Sequence, residues 1–291
     1  MKAGYVAIIG EPNVGKSTLL NQLLHIKLSI VTSKPQTTRH RVLGVLTEGD
    51  NQCYFLDTPG MIDPINPLQQ MMVEDIKKSL RDADVIIWVI DPWFKKTRLF
   101  IETMQIVVRM PLICAINKID LISRKELLPI IEALRAHGFN EIIPISARTG
   151  DGLEELKTTM FSYLPEGPFL YPSDELSDRP ERFFVAEIIR EKIFECYKKE
   201  VPYATCVMID EFKERDAGKD FIRGIIYVER QSQKAILIGK KGEALKSVGE
   251  KARKEIEILL QRPVYLELWV KVKPKWRKDK KFLKELGYQE K

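Results

Sequence analysis

An eight-residue segment near the N-terminus has the residue types and spacing of a phosphate-binding loop. Gly10 to Ser17 spell GEPNVGKS, which fits the pattern G-x-x-x-x-G-K-[ST]. The segment follows an apolar run at 5–9 that predicts a buried strand, and it precedes a periodic stretch at 16–27 that predicts a helix. Its glycines allow successive N–H groups to face an anion at the helix N-terminus. The loop therefore predicts a nucleoside triphosphate, with Lys16 at the β- and γ-phosphates and Ser17 on Mg²⁺.

Two further segments complete the predicted phosphate and metal site. Asp57-Thr58-Pro59-Gly60 directly follow an apolar strand, which places a carboxylate near the metal and a glycine N–H near the γ-phosphate. The polar loop at 31–41 offers a threonine hydroxyl as another metal ligand. The predicted Mg²⁺ ligands are Ser17, Asp57 and Thr38, with Thr37 as the alternative to Thr38. The predicted phosphate contacts are Gly10, Asn13, Val14, Gly15, Lys16, Ser17, Thr18 and Gly60.

A third motif, Asn117-Lys118-Ile119-Asp120, predicts which base is bound. The Asp120 carboxylate can accept hydrogen bonds from N1–H and the N2 amine of guanine, and adenine offers neither donor there. A polar site of this kind discriminates strongly, because the wrong base leaves a buried charge unpaired. The motif therefore predicts GTP and GDP as ligands. The predicted guanine contacts are Asn117, Lys118, Asp120, Ser146, Ala147 and Arg148.

The elements that carry these motifs alternate between strand and helix patterns. Apolar strands separated by amphipathic helices predict an α/β fold with a mostly parallel sheet covered on both faces. The ligand should then lie beyond the carboxyl ends of the strands, where the motifs fall. The strands are predicted at 5–9, 42–47, 52–56, 85–91, 111–117 and 141–146, and the helices at 16–27, 68–81, 97–109, 126–137 and 152–164.

The pattern changes after a connector that contains four prolines between residues 165 and 180. The predicted organisation is a nucleotide-binding domain at 1–165, a linker at 166–180 and a second domain at 181–291. The second domain should be a smaller α+β unit with the order α-β-β-α-α-β. Its elements are predicted at 181–199, 204–211, 221–229, 231–238, 243–261 and 264–272.

Charge and composition restrict the partners and the compartment. The net charge is +6, and all of the excess lies after residue 172. Such asymmetry indicates that a polyanion, either a nucleic acid or an anionic membrane, meets the C-terminal half. The four cysteines are scattered without metal-ligand spacing, and no apolar run approaches the length of a membrane span. A cytoplasmic protein is expected.

A short glycine- and lysine-containing turn predicts the nucleic-acid contact. Ile238 to Gly242 spell IGKKG between two predicted helices, which matches the GXXG loop of a KH module for single-stranded RNA. The basic tail interleaves aromatic residues with lysines, an arrangement that can stack on bases. A basic amphipathic helix from Trp276 to Tyr288, resting on a membrane, is the alternative, and Trp269 is expected in the core. The predicted RNA contacts are Ile238, Gly239, Lys240, Lys241, Gly242, Lys273, Lys275, Trp276 and Arg277.

The motifs GEPNVGKS, QTTR, DTPG, NKID and SAR, in this order, resemble those of translation-factor-like GTPases. Together with a type II KH module they resemble the bacterial Era family over nearly the whole chain. The runs RFFVAEIIREKIF, ERQSQKAILIGKKGEALK and VYLELWVKVKPKWR resemble family signatures as well. The resemblance implies a GTPase that binds the 3′ end of small-subunit ribosomal RNA during 30S assembly. The alternative is a peripheral membrane or cell-cycle signalling GTPase, and a monomer is expected in either case.

The residue after the D-x-x-G motif departs from the Ras-like pattern. Ras-like relatives have a water-orienting glutamine at this position, whereas this chain has Met61, which cannot align water. Slow intrinsic hydrolysis is expected, and no catalytic residue is assigned beyond Thr38 as a candidate. Asn13 resembles the phosphate-loop asparagine of relatives that use K⁺ as an electrostatic helper, which adds K⁺ to Mg²⁺ as a candidate cofactor.

Overall fold

The computed structural model describes residues 1–32, 34–94 and 110–288. The chain divides into two compact units. The first contains Met1–Ile65 and Gln69–Asp178, and the second contains Asn66–Leu68 and Arg179–Lys291. Across the described ranges, no helix is both long and apolar enough to cross a membrane.

The first unit is built on a six-stranded sheet with the strand order β2-β3-β1-β4-β5-β6. Only β2 runs antiparallel to its neighbour β3, and the other strand pairs are parallel. The predicted helix at 97–109 lies outside the described residues. The strands are β1 (Lys2–Ile9), β2 (Val42–Glu48), β3 (Asn51–Asp57), β4 (Val85–Ile90), β5 (Leu112–Ile116) and β6 (Glu141–Pro144), and the helices are α1 (Lys16–Leu24), α2 (Pro67–Asp82), α3 (Arg124–Ala136) and α4 (Leu153–Tyr163).

Strand β4 shows why this sheet is covered on both faces. All its residues, VIIWVI, are buried, although successive side chains of a strand point to opposite faces. Ile86, Trp88 and Ile90 pack in one cluster with Leu80 of α2 and Leu134 of α3, and the alternate residues of β4 are buried as well. The predicted fold class is therefore confirmed, and the carboxyl ends of the central strands lie at one edge of the sheet.

The second unit has the predicted order α-β-β-α-α-β. Its three strands form a sheet with the order β7-β8-β9, in which β7 and β8 are antiparallel and β8 and β9 are parallel. Residues of three helices and this sheet share one apolar core. The elements are α5 (Glu181–Cys196), β7 (Cys206–Lys213), β8 (Asp220–Val228), α6 (Gln231–Ile238), α7 (Glu243–Leu260), β9 (Val264–Val272) and a short C-terminal helix, α8 (Lys280–Glu285).

The proline-rich connector is extended, and it is attached to the edge of the first sheet. The Leu170 N–H donates to the Tyr54 hydroxyl at 2.7 Å, and the Val45 N–H of edge strand β2 donates to the Leu176 carbonyl at 2.9 Å. The Ser177 hydroxyl donates to the Leu43 carbonyl at 2.5 Å. The bonds to Val45 and Leu43 satisfy backbone groups that edge strand β2 would otherwise present to other chains.

Candidate nucleotide site and nucleic-acid interface

The segments that follow β1, β3, β5 and β6 contribute to the wall of an open cavity of about 560 Å³ in the first unit. Four predicted residues do not line it, namely Gly10, Val14, Asp57 and Ser146, and of these Asp57 and Ser146 are fully buried. The sequence motifs did not assign Pro12, Ile30, Val31, Thr32, Gln36 and Leu121, which also line the cavity. The predicted residues that line it are Asn13, Gly15, Lys16, Ser17, Thr18, Thr37, Thr38, Gly60, Asn117, Lys118, Asp120, Ala147 and Arg148.

The phosphate-loop geometry follows from one glycine and one buried lysine. Gly15 has a φ of 99°, and a Cβ there would lie 2.3 Å from Asn117 Nδ2, so only glycine fits. Lys16 Nζ donates to the carbonyls of Gly10 at 3.1 Å and Glu11 at 2.9 Å. Burial lowers the pKa of Lys16 to about 8, although the nearby Asp57 and Glu11 carboxylates act in the opposite direction. The loop therefore holds a desolvated cation at the start of α1.

Three oxygen-bearing side chains meet beside this lysine. Ser17 Oγ donates to Asp57 Oδ2 at 2.9 Å and lies 2.8 Å from Thr38 Oγ1. Burial raises the pKa of Asp57, while Lys16 acts to lower it, and Asp57 Oδ1 is a buried atom without a hydrogen-bond partner. A buried, unsatisfied carboxylate oxygen next to two hydroxyls fits the oxygen ligands that Mg²⁺ requires. We name Ser17, Thr38 and Asp57 the oxygen cluster.

The two candidate threonines of the 31–41 loop differ in position. Thr38 lies in the oxygen cluster. The Thr37 hydroxyl donates to the Lys34 carbonyl at 2.7 Å and lies 2.7 Å from the Thr32 hydroxyl, so it is engaged within its own loop. The geometry therefore favours Thr38 over Thr37 as a metal ligand.

The base end of the cavity is braced by side-chain hydrogen bonds between loops. Asn117 Nδ2 donates to the Val14 carbonyl at 2.7 Å, and Asn117 Oδ1 accepts from the Ala147 N–H at 2.8 Å. Ser146 Oγ donates to Asp120 Oδ1 at 2.7 Å, which orients that carboxylate. Asn117 thus ties the phosphate loop to the segment that follows β6.

Lys118 has a partner that the sequence motifs did not identify. Its backbone is left-handed, with a φ of 65°, and its Nζ lies 3.2 Å from Asp91 Oδ2. Asp91 follows the last residue of β4. A carboxylate at the end of a central strand is the only sequence signal that could have pointed to it.

Met61 lies in the apolar core rather than in the cavity. Its side chain is 7% exposed and packs with Ala7 and Ile9 of β1, while its backbone N–H donates to the Gly10 carbonyl at 3.1 Å. The position that follows the D-x-x-G motif therefore contributes packing, and no polar side chain extends from it toward the phosphate end.

The predicted GXXG loop connects α6 and α7 through an unusual backbone. Gly239 has a φ of 71°, and a Cβ there would lie 2.5 Å from Ala244 Cβ. Lys241 and Gly242 also have positive φ angles, of 51° and 82°. The Lys240 and Lys241 side chains are exposed. The loop therefore presents two cations on a compact turn, as contacts to a phosphate backbone require.

The other predicted RNA contacts are arranged differently. Lys273 Nζ lies 3.2 Å from Asp279 Oδ2, and Arg277 pairs with Glu229 at 2.5 Å, so both cations are held within the unit. Lys275 is exposed.

The aromatic side chains of the C-terminal segment correct three expectations. Trp276 is fully buried and donates from Nε1 to the Ala204 carbonyl at 2.8 Å, so its ring is not available to stack on RNA bases. Phe282 and Tyr288 are buried too, which leaves no aromatic face for a membrane-bound helix. Trp269 was expected in the core and is 50% exposed, because strand alternation puts it on the face opposite to Leu268 and Val270.

Comparisons with known proteins identify relatives of both parts of the chain. The family model described as a 50S ribosome-binding GTPase matches residues 5–118, and the KH domain model matches residues 200–277. GTPase Era of Lactobacillus delbrueckii subsp. bulgaricus is 45% identical over 100% of this chain and 97% of its own length. GTPase Era of Geobacter sp. strain M21 is 46% identical over 99% of this chain and 98% of its own.

Two solved structures are similar over the full length of both chains. One is a variant of Aquifex aeolicus Era bound to GDP and AlF₄⁻, with a TM-score of 0.95 and 46% identity. The other is Era in complex with MgGDPNP and nucleotides 1506–1542 of 16S ribosomal RNA, with a TM-score of 0.95 and 47% identity. Identity at this level over the whole length shows common ancestry, and the chain belongs to the GTPase Era family.

Proposed function

We propose that this chain is a GTP-hydrolysing switch that binds a single-stranded segment at the 3′ end of small-subunit ribosomal RNA during 30S assembly. The observation that carries the proposal is the convergence of the phosphate loop, the oxygen cluster and Asp120 on one cavity, in a chain that also has a KH domain. The relative solved with MgGDPNP and 16S ribosomal RNA supports both ligands.

Guanine is recognised by Asp120 in this proposal, with Ser146 orienting the carboxylate. Asn117 holds the neighbouring loops, and Ala147 and Arg148 lie at the cavity wall where a backbone N–H can meet guanine O6. Lys118, held by Asp91, lays its aliphatic stem along the base. Hydrogen bonds within the chain already hold these side chains in place. They therefore lose little conformational entropy when GTP binds.

The phosphates and the metal occupy the other end. The loop from Gly10 to Thr18 and the Gly60 N–H meet the phosphates, and the residues of the oxygen cluster hold Mg²⁺. Bound Mg²⁺ supplies positive charge that neutralises the β- and γ-phosphate oxygens. Asn13, which lines the same end with a φ of 65°, is the residue we assign to K⁺.

Hydrolysis is expected to be slow without a partner. The buried Met61 leaves the water-orienting role of Ras-like relatives unfilled at its position. A slow reaction suits a timing function, since the bound nucleotide then persists long enough to regulate RNA binding.

RNA is bound by the loop Ile238–Gly242, with Lys240 and Lys241 meeting phosphates and exposed Lys275 adding charge. We assign residues 1–165 to the GTPase domain, 166–180 to the linker and 181–291 to the KH domain. The proposal treats the protein as a cytoplasmic monomer.

The experiment measures the affinity of the full chain for a single-stranded RNA with the 3′-end sequence, in the presence of Mg²⁺. GDP and a non-hydrolysable GTP analogue are compared, and we expect affinities that differ by about fivefold or more, the usual range of allosteric coupling. An RNA of equal length and reversed sequence and vesicles of anionic lipid serve as controls. Equal affinity with both nucleotides would exclude the switch, and vesicle binding stronger than RNA binding would favour a membrane function.

A further inference from the structure

Two glutamines, Gln36 and Gln69, are in contact with each other at the edge of the nucleotide cavity. Gln36 lines the nucleotide cavity beside Thr37 and Thr38. Gln69 is the third residue of α2, and its side chain is only 8% exposed. Neither residue belongs to the part of a motif that is assigned to phosphate, metal or base.

Hydrogen bonds place these two amides in a defined order. Gln69 Oε1 accepts from the Ile65 N–H at 2.8 Å. Since a backbone N–H can only donate, this bond fixes the orientation of the Gln69 amide. Gln69 Nε2 then donates to Gln36 Oε1 at 3.3 Å. A continuous chain of bonds therefore runs from the loop before α2 to the loop at 31–41.

The position of Gln36 makes this contact consequential. Its backbone is left-handed, with a φ of 58°, a conformation that non-glycine residues adopt only when their surroundings hold them. Gln36 lies two residues before Thr38, whose hydroxyl is 2.8 Å from Ser17 Oγ. The bond that Gln36 Oε1 accepts restrains this residue, and it therefore also restrains the segment that places Thr38 in the oxygen cluster.

We propose that Gln69 is a positioning residue for GTP hydrolysis, which holds Gln36 and, through it, Thr38 at the γ-phosphate end of the cavity. The proposal rests on the GTPase function proposed above. Gln69 thereby joins the two loops that flank the γ-phosphate, and its loss should affect the triphosphate state more than the diphosphate state, because GDP has no γ-phosphate to contact the loops.

The test compares Gln69→Leu with Gln70→Leu, a matched control at the exposed neighbouring glutamine. For each variant, kcat and KM for GTP, affinities for GDP and a non-hydrolysable GTP analogue, and the melting temperature are measured. We expect Gln69→Leu to lower kcat by about tenfold and to weaken the analogue more than GDP, as loss of one or two hydrogen bonds implies. Gln70→Leu should stay within about twofold of the unmodified chain in all of these.

A double-mutant cycle with Gln36→Leu separates positioning from a structural role. If Gln69 acts through Gln36, the kcat of the double variant equals the kcat of the single variant with the lower kcat. Additive losses, or equal weakening of GDP and the analogue, would overturn the proposal. If Gln69→Leu does not fold, Gln36→Leu alone tests the proposal, because this variant leaves the bond between Ile65 and Gln69 intact. Gln36→Leu must then reduce kcat, and an unchanged kcat would overturn the proposal. Absence of GTP hydrolysis in the unmodified chain would instead count against the proposed function.

Discussion

The nucleotide cavity and the GXXG loop use opposite means to prepare for a ligand. In the cavity, polar side chains bond to one another or to the backbone: Ser17 donates to Asp57, Ser146 donates to Asp120, and Asn117 accepts from the Ala147 N–H. In the loop, the lysine side chains are exposed, and the shape comes from a backbone with positive φ angles at Gly239, Lys241 and Gly242.

The difference indicates how each site obtains specificity. Preformed, partly buried hydrogen bonds discriminate between ligands, because a wrong ligand leaves polar groups unpaired. An exposed, basic turn instead recognises the path and charge of a phosphate backbone. Substitutions should therefore change ligand identity in the cavity and overall affinity and salt dependence in the loop.

The largest expected effect tests discrimination at the base. Asp120→Asn replaces an acceptor-only carboxylate with an amide that presents a donor, which the guanine N2 amine opposes and the xanthine C2 carbonyl can accept. We expect the preference for GTP over XTP to fall by about 10³-fold or more. Competition binding with labelled GTP measures this ratio. Asp151→Asn, at an exposed carboxylate, is the control, and an unchanged preference in Asp120→Asn would refute the assignment of the base.

A second prediction concerns the charge of the loop. The double variant Lys240→Ala with Lys241→Ala should weaken binding of all single-stranded RNAs alike and reduce the salt slope of log K by about 1.4, since each lost phosphate contact contributes about 0.7. Titration of RNA at several salt concentrations gives the slope. The double variant Arg124→Ala with Lys125→Ala removes the same charge from exposed positions of α3 and should leave the slope unchanged. If the Lys240 and Lys241 variant changed the preference for particular RNA sequences without changing the salt slope, the loop would not act through phosphate charge.

Sequence reasoning succeeded where the information is local. The phosphate loop and the end of β5 are contiguous motifs on strongly periodic elements, so their meeting at one sheet edge follows from the fold class. Gln69 bonds to Gln36, which is 33 residues away, and Asp91 pairs with Lys118, which is 27 residues away. The position of Asp91 at the end of a strand was a sequence signal, but no motif specifies either of these two contacts.

The predictions for the C-terminal aromatic residues were wrong for a different reason. A tail rich in lysine and aromatic residues has the composition of a nucleic-acid-binding surface. Trp276 is nevertheless buried in the core, where its Nε1–H donates to the Ala204 carbonyl. Trp269 lies on the exposed face of β9. The guanidinium of Arg223 in β8 is 5.9 Å from the centroid of the Trp269 ring. Composition therefore identified the basic region, and only tertiary packing could assign its aromatic side chains.

The smallest predicted effect asks how far the loop depends on the core beneath it. The Tyr197 hydroxyl donates to the Leu237 carbonyl at 2.7 Å, next to the start of the loop, and burial raises the pKa of Tyr197 to about 12. Tyr197→Phe should lower the free energy of unfolding by about 1 kcal/mol at pH 7 to 9. Between pH 10 and 12 the unfolded chain loses the tyrosine proton while the folded chain keeps it. The unmodified protein therefore loses stability in this range, and its difference in stability from the variant shrinks.

Urea unfolding across this pH range measures the effect, and Tyr265→Phe, at an exposed tyrosine, should show none. If Tyr197→Phe abolished RNA binding while the unit stayed folded, the loop would depend on its core as strongly as the cavity depends on its side-chain bonds.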